Sequence, residues 1–179
     1  MSRPATGVGH YLRDLVYGAS DGVVTTLAVV AGASGANFGA RVGLVLGVSN
    51  LAADGLSMAI SNYLGLKSEL EQARASIEHE QPWRHGLATF VAFVVVGAVP
   101  LLAYLVDVGA SRQLPLAFGL AMIALAAVGV VRARFVSRPA WRSALEMTGL
   151  AGGAALVAYL VGGRSEERRV GKECATLCR

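Results

Sequence analysis

The segment YGASDGVVTT, residues 17–26, lies inside an apolar run of residues 12–33 and carries one carboxylate, Asp21. A helix needs about 20 predominantly apolar residues to span the hydrocarbon core of a bilayer, and this run is long enough. It is too long for the apolar region of a signal peptide. A carboxylate at the centre of a span costs on the order of 3 kcal/mol, so Asp21 requires a compensating partner.

The rest of the chain has the composition of a polytopic membrane protein. Of its 179 residues, 54% are hydrophobic, only 16% are charged and 22 are glycine, which would leave a soluble domain short of polar surface. We expect an all-α integral membrane protein whose transmembrane domain covers residues 1–163, with a short cytosolic connection at 66–85 in which Pro82 ends a short helix. The five predicted transmembrane helices are at about residues 13–33, 40–65, 86–106, 114–133 and 143–163.

The distribution of lysine and arginine predicts the orientation, because cytoplasmic loops carry the basic excess. The N-terminal arm, the second connection and the fourth connection are basic, whereas the opposite side contributes only Arg41 and Arg112 before the last span ends. We therefore expect the N-terminus in the cytoplasm and the C-terminus outside. The basic residues on the predicted cytoplasmic side are Arg3, Arg13, Lys67, Arg74, Arg84, Arg132, Arg134, Arg138 and Arg142.

Residues 164–179 break this pattern, because they are strongly charged and contain both cysteines, Cys174 and Cys178. The run of residues 164–174 resembles the translation of a sequencing adapter. We expect this tail to be an artefact or, if native, a disordered polar end. Without it, the sequence predicts neither a disulfide nor a thiolate metal site.

Polar residues on the first two predicted spans recur every three or four positions, which places them on one helix face. Two apposed carboxylates on neighbouring spans repel each other, so a divalent cation or a proton is expected between them. The stripe on the first span consists of Asp14, Tyr17, Asp21 and Thr25, and that on the second consists of Asn50, Asp54 and Met58, with Ser57 and Ser61 beside it.

We predict that Asp21, Asp54, Asn50 and Met58 form a metal site. Mg²⁺ and Ca²⁺ take oxygen ligands alone, whereas a thioether in an oxygen-rich set favours Fe²⁺ and tolerates Mn²⁺ or Zn²⁺. The structural alternative is that Asp21 and Asn50 form interhelical hydrogen bonds and that Met58 belongs to the core. Small residues on the same spans predict close helix packing and a homodimer surface, namely Gly18, Gly22, Gly32, Gly35, Gly43 and Gly47.

The second connection is acidic, and Glu69, Glu71, His79 and Glu80 could attract cations to the mouth of a transport path. A solvated charged helix end is the alternative explanation. Glu146, near the start of the fifth span, has Arg142 as a partner four residues earlier, and we predict a salt bridge between them.

Segments of this chain resemble the vacuolar iron transporter family. The resemblance covers residues 11–163 and is carried by YGASDGVVTTLAVVAGASG, NLAADGLSMAISNYLGLKSE, PWRHGLATFVAFVVVGAVPLL and WRSALEMTGLAGGAALVAYLVGG. It implies five spans, a cytosolic N-terminus and a homodimer whose ion path lies between the protomers, along the first two helices. It also implies that Asp21 binds and passes the metal and that Met58 is its thioether ligand.

This chain departs from the better-known plant members at two places. Asn50 stands where they carry a glutamate, so Asp54, one turn along, would have to provide proton coupling. The second connection is only about twenty residues long, whereas those members have a long, glutamate-rich cytosolic domain. In this respect the chain is similar to the shorter, nodulin-like branch.

We therefore expect a homodimeric carrier in a bacterial cytoplasmic membrane that exports Fe²⁺ or Mn²⁺ in exchange for protons. Its expected partners are these ions and the lipid bilayer, with no permanently bound cofactor, no nucleic acid and no enzymatic activity. One alternative is a non-transporting membrane subunit or scaffold. A second, an intramembrane enzyme, is disfavoured because the sequence places no histidine or cysteine inside the predicted spans.

Overall fold

The computed structural model describes residues 10–72, 81–106, 109–135 and 140–177. Every regular element in these ranges is a helix, which confirms the all-α prediction. The helices are α1 (Leu12–Gly35), α2 (Ala40–Gln72), α3 (Pro82–Gly97), α4 (Leu102–Leu105), α5 (Ala110–Phe135) and α6 (Ala140–Leu177), and a 3₁₀ turn at Val99–Leu101 joins α3 to α4.

Five helical segments in the described residues are long and apolar enough to cross a membrane, as predicted. The third combines α3, the 3₁₀ turn and α4, because Pro100 lacks the N–H that a continuous α-helix would use at that position. The segments are Leu12–Gly35, Ala40–Gln72, Pro82–Leu105, Ser111–Ala133 and Ala144–Ser165.

The connection between α2 and α3 is shorter than the predicted 66–85. Helix α2 continues to Gln72, because its last turns contain good helix formers and an (i, i+4) ion pair between Lys67 Nζ and Glu71 Oε1 at 4.0 Å. Pro82 begins α3 instead of ending a helix before it, as suits a residue whose missing N–H has no partner in a first turn. Because α3 begins at Pro82 and not at about residue 86, as predicted, His85 lies inside the third spanning segment.

The backbone of α6 continues as a helix to Leu177, beyond residue 163, where the last span was predicted to end. The composition had predicted an irregular polar end for a native tail. Glutamate, arginine, lysine and alanine are nevertheless good helix formers, and they extend the preceding helix at little cost. The origin of the tail stays a prediction.

Helix α1 is central and packs against α2, α3, α5 and α6. Glycines permit this close approach: Gly18 and Gly22 lie directly against the backbone carbonyls of Thr89 and Phe93 on α3, and Gly35 lies against that of Tyr159 on α6. The prediction that these glycines serve helix packing is confirmed. Around them, the core includes the fully buried side chains of Val23, Leu27, Val30, Phe93 and Leu125.

The predicted salt bridge between Glu146 and Arg142 is wrong. Glu146 Oε2 instead lies 3.9 Å from Arg132 Nη1 on α5, while the Arg142 guanidinium lies over the ring of Trp141, 5.2 Å from its centroid. The antiparallel packing of α5 on α6 brings the end of one helix beside the start of the other, and helical spacing alone does not reveal such a neighbour.

Candidate metal site

Asp21 and Asp54 come together where α1 packs against α2. Both side chains are half-buried, and the two carboxylates are close enough to repel each other electrostatically. Each lies well inside a segment that can span a membrane. Two carboxylates at this depth of a span are unfavourable without compensation, so this arrangement favours a cation or a proton between the two groups.

Asn50 joins this pair through a short chain of hydrogen bonds. Its side-chain Nδ2 donates to Thr25 Oγ1 at 3.4 Å, and the Thr25 hydroxyl donates to the backbone carbonyl of Asp21 at 2.9 Å. Asn50 also precedes Asp54 by one helical turn. Three of the four predicted ligands therefore lie in one region of the α1–α2 contact.

Met58, the fourth predicted ligand, lies one turn beyond Asp54. It lines a cavity of about 710 Å³ at the N-terminal end of α1. Asp21, Asp54 and Asn50 do not line this cavity, but Tyr17 and Met58, one turn from each carboxylate, do. Residues one helical turn from each carboxylate thus line the cavity. It is lined by His10, Arg13, Asp14, Tyr17, Ser57, Met58, Ser61, Asn62, Gly65, Leu66, Glu69 and His85.

The residues of the second connection that were predicted to attract cations do not share one position in the structure. Glu69 lines the cavity, whereas Glu71 is exposed and pairs with Lys67 on the last turns of α2. His79 and Glu80 lie outside the described residues. Only Glu69 of this cluster therefore has a defined position toward the candidate path.

A buried polar network at the wall of this cavity was not predicted as a site. Asp14 Oδ2 on α1 contacts His85 Nδ1 on α3 at 2.5 Å, and Asn62 Nδ2 on α2 donates to Asp14 Oδ1 and to Thr89 Oγ1, both at 2.8 Å. Asp14 is 5% exposed and His85 7% exposed. The expectation that no histidine lies inside a span is therefore wrong, because α3 begins at Pro82 and includes His85. Proline at a first helical position was the available signal.

No group of three or more His, Cys, Asp or Glu side chains among the described residues could hold a metal ion. One chain contributes two carboxylates, an amide and a neighbouring thioether to the region. Carboxylate and amide oxygens suit a divalent cation, and a thioether adds preference for a first-row transition metal. These four side chains of one chain nevertheless include too few charged ligands to form a complete site for one ion.

A family model gives the clearest comparison with known proteins. The model of the VIT family matches residues 12–81 and 76–163 of this chain, which together cover all five spanning segments up to residue 163. The two candidate carboxylates and the buried network lie within the matched ranges.

Three similar proteins carry corresponding names. Vacuolar iron transporter 1 of Eucalyptus grandis is 37% identical over 73 residues, which are 41% of this chain and 29% of that protein. Vacuolar iron transporter homolog 5 of Oryza sativa subsp. japonica is 30% identical over 136 residues, or 69% of this chain and 65% of that protein. The vacuolar iron transporter of Toxoplasma gondii is 35% identical over 71 residues, or 40% of this chain and 24% of that protein.

The matched segment thus spans less than a third of the plant iron transporter from Eucalyptus and about two thirds of the rice homologue. Members of this family are transporters and not enzymes. The family model covers most of the chain, and its boundaries agree with the helices that the sequence predicted. The chain belongs to the VIT family.

Proposed function

We propose that this protein carries divalent transition-metal cations, Fe²⁺ or Mn²⁺, out of the cytoplasm in exchange for protons. The approach of Asp21 to Asp54 inside two spanning helices carries the proposal. Two like charges held close together within spanning helices are unfavourable unless a cation or proton neutralises them. The names of the relatives, which describe iron transporters, support metal as the substrate.

The four proposed ligands have complementary roles. Asp21 and Asp54 neutralise the charge of the ion, Asn50 supplies a neutral oxygen and Met58 supplies the soft ligand that distinguishes a transition metal from Mg²⁺ or Ca²⁺. Such a mixed set binds weakly enough for the ion to leave again, as a carrier requires.

A second copy of the chain would complete the site, and the exposure of α2 supports this. Its buried positions form a single stripe of Gly43, Gly47, Leu51, Gly55 and Ala59. Ser49, Ser57 and Ser61 are exposed on the same helix, and Tyr17 of α1 is 61% exposed. Hydroxyl groups on a spanning helix are poorly suited to face lipid, whereas they are suited to a water-lined contact between two protomers.

The proposed setting is a bacterial cytoplasmic membrane with the N-terminus inside. In that orientation the cavity lined by Met58 and Glu69 opens toward the cytoplasm and admits the ion before it reaches Asp21. Glu69, which lines this cavity, would raise the local cation concentration at its mouth.

Metal flux into proteoliposomes tests the proposal. The purified full chain is reconstituted, and the entry of Fe²⁺ or Mn²⁺ is followed with an entrapped metal indicator. Asp21→Asn and Asp54→Asn should each lower the flux by about tenfold or more, because each removes a charged ligand without changing side-chain size. Glu146→Gln, which removes a carboxylate paired with Arg132 away from the site, is the matched control. Unchanged flux in both aspartate variants would exclude the proposed ligands.

Thermal melting separates the carrier from the rival proposal of a non-transporting scaffold. A carrier that binds Fe²⁺ or Mn²⁺ in its native state gains about 2.7 kcal/mol of stability when the free ion is at one hundred times its dissociation constant. We expect a metal-dependent rise in melting temperature for the wild type and a smaller rise for Asp21→Asn. A panel of divalent ions without any such rise would favour the scaffold.

A further inference from the structure

An apolar fissure lies between α3 and α5, with α1 as its floor. Leu12, Val16 and Ala19 form this floor, on the face of α1 opposite to Asp14 and Tyr17 of the polar cavity. The fissure has a volume of about 620 Å³, and every described residue that lines it is Ala, Val, Leu or Ile. Helix α5 packs against the 3₁₀ turn and α4 but makes few contacts with α3 itself. The fissure therefore opens toward the end of the molecule where α3 begins and α5 ends.

The length of the fissure matches one leaflet of a bilayer. It follows α5 from Leu120 to Val131, a rise of about 16 Å along the helix, and half of the hydrocarbon core is about 15 Å thick. A second helix of this length, about 10 Å in diameter, would need roughly 1,200 Å³. The fissure is therefore too small for a helix of another chain, whereas an acyl chain from the surrounding lipid suits its length and its apolar walls.

The open end of the fissure lies at the level of the lipid headgroups. Trp83 is 55% exposed in the first turn of α3, and exposed tryptophan at the end of a span is typical of the membrane interface. Gly18 of α1 lies against Thr89 of the parallel helix α3. Six residues earlier on each helix, Leu12 lies level with Trp83. The floor of the fissure therefore begins where a headgroup would be.

Each wall of the fissure carries an arginine at this end. Arg84 precedes Val91 by seven residues and so continues the face of α3 that lines the fissure. Arg84 is exposed, and its guanidinium lies over the Trp83 ring, 5.5 Å from the centroid. Arg132 follows the last α5 residue of the fissure, and its Nη1 lies 3.9 Å from Glu146 Oε2. A guanidinium has five N–H donors, so it can contact a carboxylate and a phosphate at once.

We propose that this fissure binds one acyl chain of an anionic phospholipid, whose headgroup phosphate lies between Arg84 and Arg132. The chain covers the apolar walls, and the net negative headgroup complements the two arginines. A zwitterionic headgroup carries its own cation beside the phosphate, so we expect it to bind less well. The inference is independent of metal transport, because it uses neither the polar cavity nor the pair of Asp21 and Asp54.

Quenching of tryptophan fluorescence tests the proposal, because the chain has only two tryptophans. Trp141→Phe retains Trp83 at the fissure, and Trp83→Phe retains Trp141, which lines no part of the fissure but also has an arginine over its ring. Each full-length variant is reconstituted in phosphatidylcholine vesicles that contain increasing amounts of phosphatidylglycerol brominated near its headgroup. We expect half-quenching of Trp83 at a mole fraction about fivefold lower than that for Trp141, the effect of roughly one favourable arginine contact. Brominated phosphatidylcholine should quench both tryptophans alike.

Three further variants in the Trp141→Phe background separate the chain site from the charge. Ala127→Phe fills the fissure from an exposed position on α5 and keeps both arginines, so it should remove the preference of Trp83 for phosphatidylglycerol. Arg132→Gln should weaken that preference severalfold. Arg112→Gln removes the same charge from the opposite end of α5 and should change nothing, which makes it the matched control.

The other outcomes overturn the proposal. Equal quenching of the two tryptophans by brominated phosphatidylglycerol would mean that anionic lipid gathers around any exposed arginine. A preference that survives in Ala127→Phe would show that the headgroup binds without a chain in the fissure. Absence of quenching at Trp83 by either lipid would show that protein, such as a second copy of the chain, covers this end of the fissure.

Discussion

At the scale of single residues, Asn62 makes hydrogen bonds that no apolar side chain at its position can make. It is the only side chain of α2 that donates to Asp14 and Thr89 among the described contacts, and it links them across two helix interfaces. A side chain without donors would leave these buried oxygens with fewer partners, in surroundings where water cannot fully replace them.

We therefore expect Asn62→Leu to lower the free energy of unfolding by about 1–3 kcal/mol, the usual cost of leaving a buried polar partner unsatisfied. The measurement is the melting temperature in detergent, or reversible unfolding in a denaturing detergent. Ser68→Ala on the same helix is the control, because among the described residues the exposed Ser68 hydroxyl donates only to the carbonyl of Leu64. Equal losses in the two variants would contradict the importance of the network.

The candidate site could be predicted in part from local spacing. Asp21, Asp54 and Asn50 repeat with the period of a helix on two successive spans, so their meeting required only that the spans pack as neighbours. His85 could not be found this way, since its partner Asp14 lies 71 residues earlier and the contact depends on where α3 begins. Periodicity identifies a face of one helix, but it does not identify the residue that a third helix brings to that face.

At the scale of elements, the contact between α1 and α3 depends on glycine. A Cβ atom added at Gly22 would collide with the backbone carbonyl of Phe93, and one at Gly97 would lie 2.8 Å from the carbonyl carbon of Gly22. Helices in a membrane associate mainly through such close contacts, because lipid offers no hydrophobic driving force between them.

The length of the apolar runs predicted these helices well, but the residues at which the helices end depended on the position of proline and on ion pairs.

Gly22→Ala should destabilise the protein by about 1–3 kcal/mol, because the backbones of α1 and α3 must separate to admit one methyl group. Gly119→Ala on α5 is the matched control, since a Cβ atom there meets no other atom within 4 Å. The control should be neutral or gain up to about 1 kcal/mol from better helix propensity. Melting curves of the two variants decide the point, and a Gly22→Ala protein as stable as the control would show that the contact can relax.

At the scale of the whole molecule, one chain leaves its most polar spanning surface uncovered. Exposed hydroxyl groups and the half-buried Asp54 lie along α2, while the glycine contacts of α1 are already occupied by α3 and α6. The expectation that the glycines of α1 provide a dimer surface is thus less well supported than a surface along α2. The number of spans could be predicted from composition. The dimer interface could not, because the sequence does not show which helix surface remains exposed after the helices of one chain pack together.

Disulfide crosslinking tests the proposed homodimer. In a background of Cys174→Ser and Cys178→Ser, Ala53→Cys places a thiol at an exposed position beside Asp54. We expect oxidation in membranes to yield a crosslinked dimer on a denaturing gel. Leu150→Cys, at a site on α6 that is 76% exposed, should remain monomeric. Equal crosslinking at both sites would indicate random collision, and none at residue 53 would argue against an interface there.

The direct contact of Gly18 and Gly22 with the α3 backbone also has a mechanical consequence. Two backbones in contact leave no space for a side chain to change its rotamer between them, and a packed interface of this kind shifts between discrete arrangements instead of deforming gradually. We therefore expect helices α1 and α3 to tilt or translate together as one rigid body. In the proposed carrier, a movement that turned Asp21 from one face of the bilayer to the other would also carry Asp14 and His85 with it.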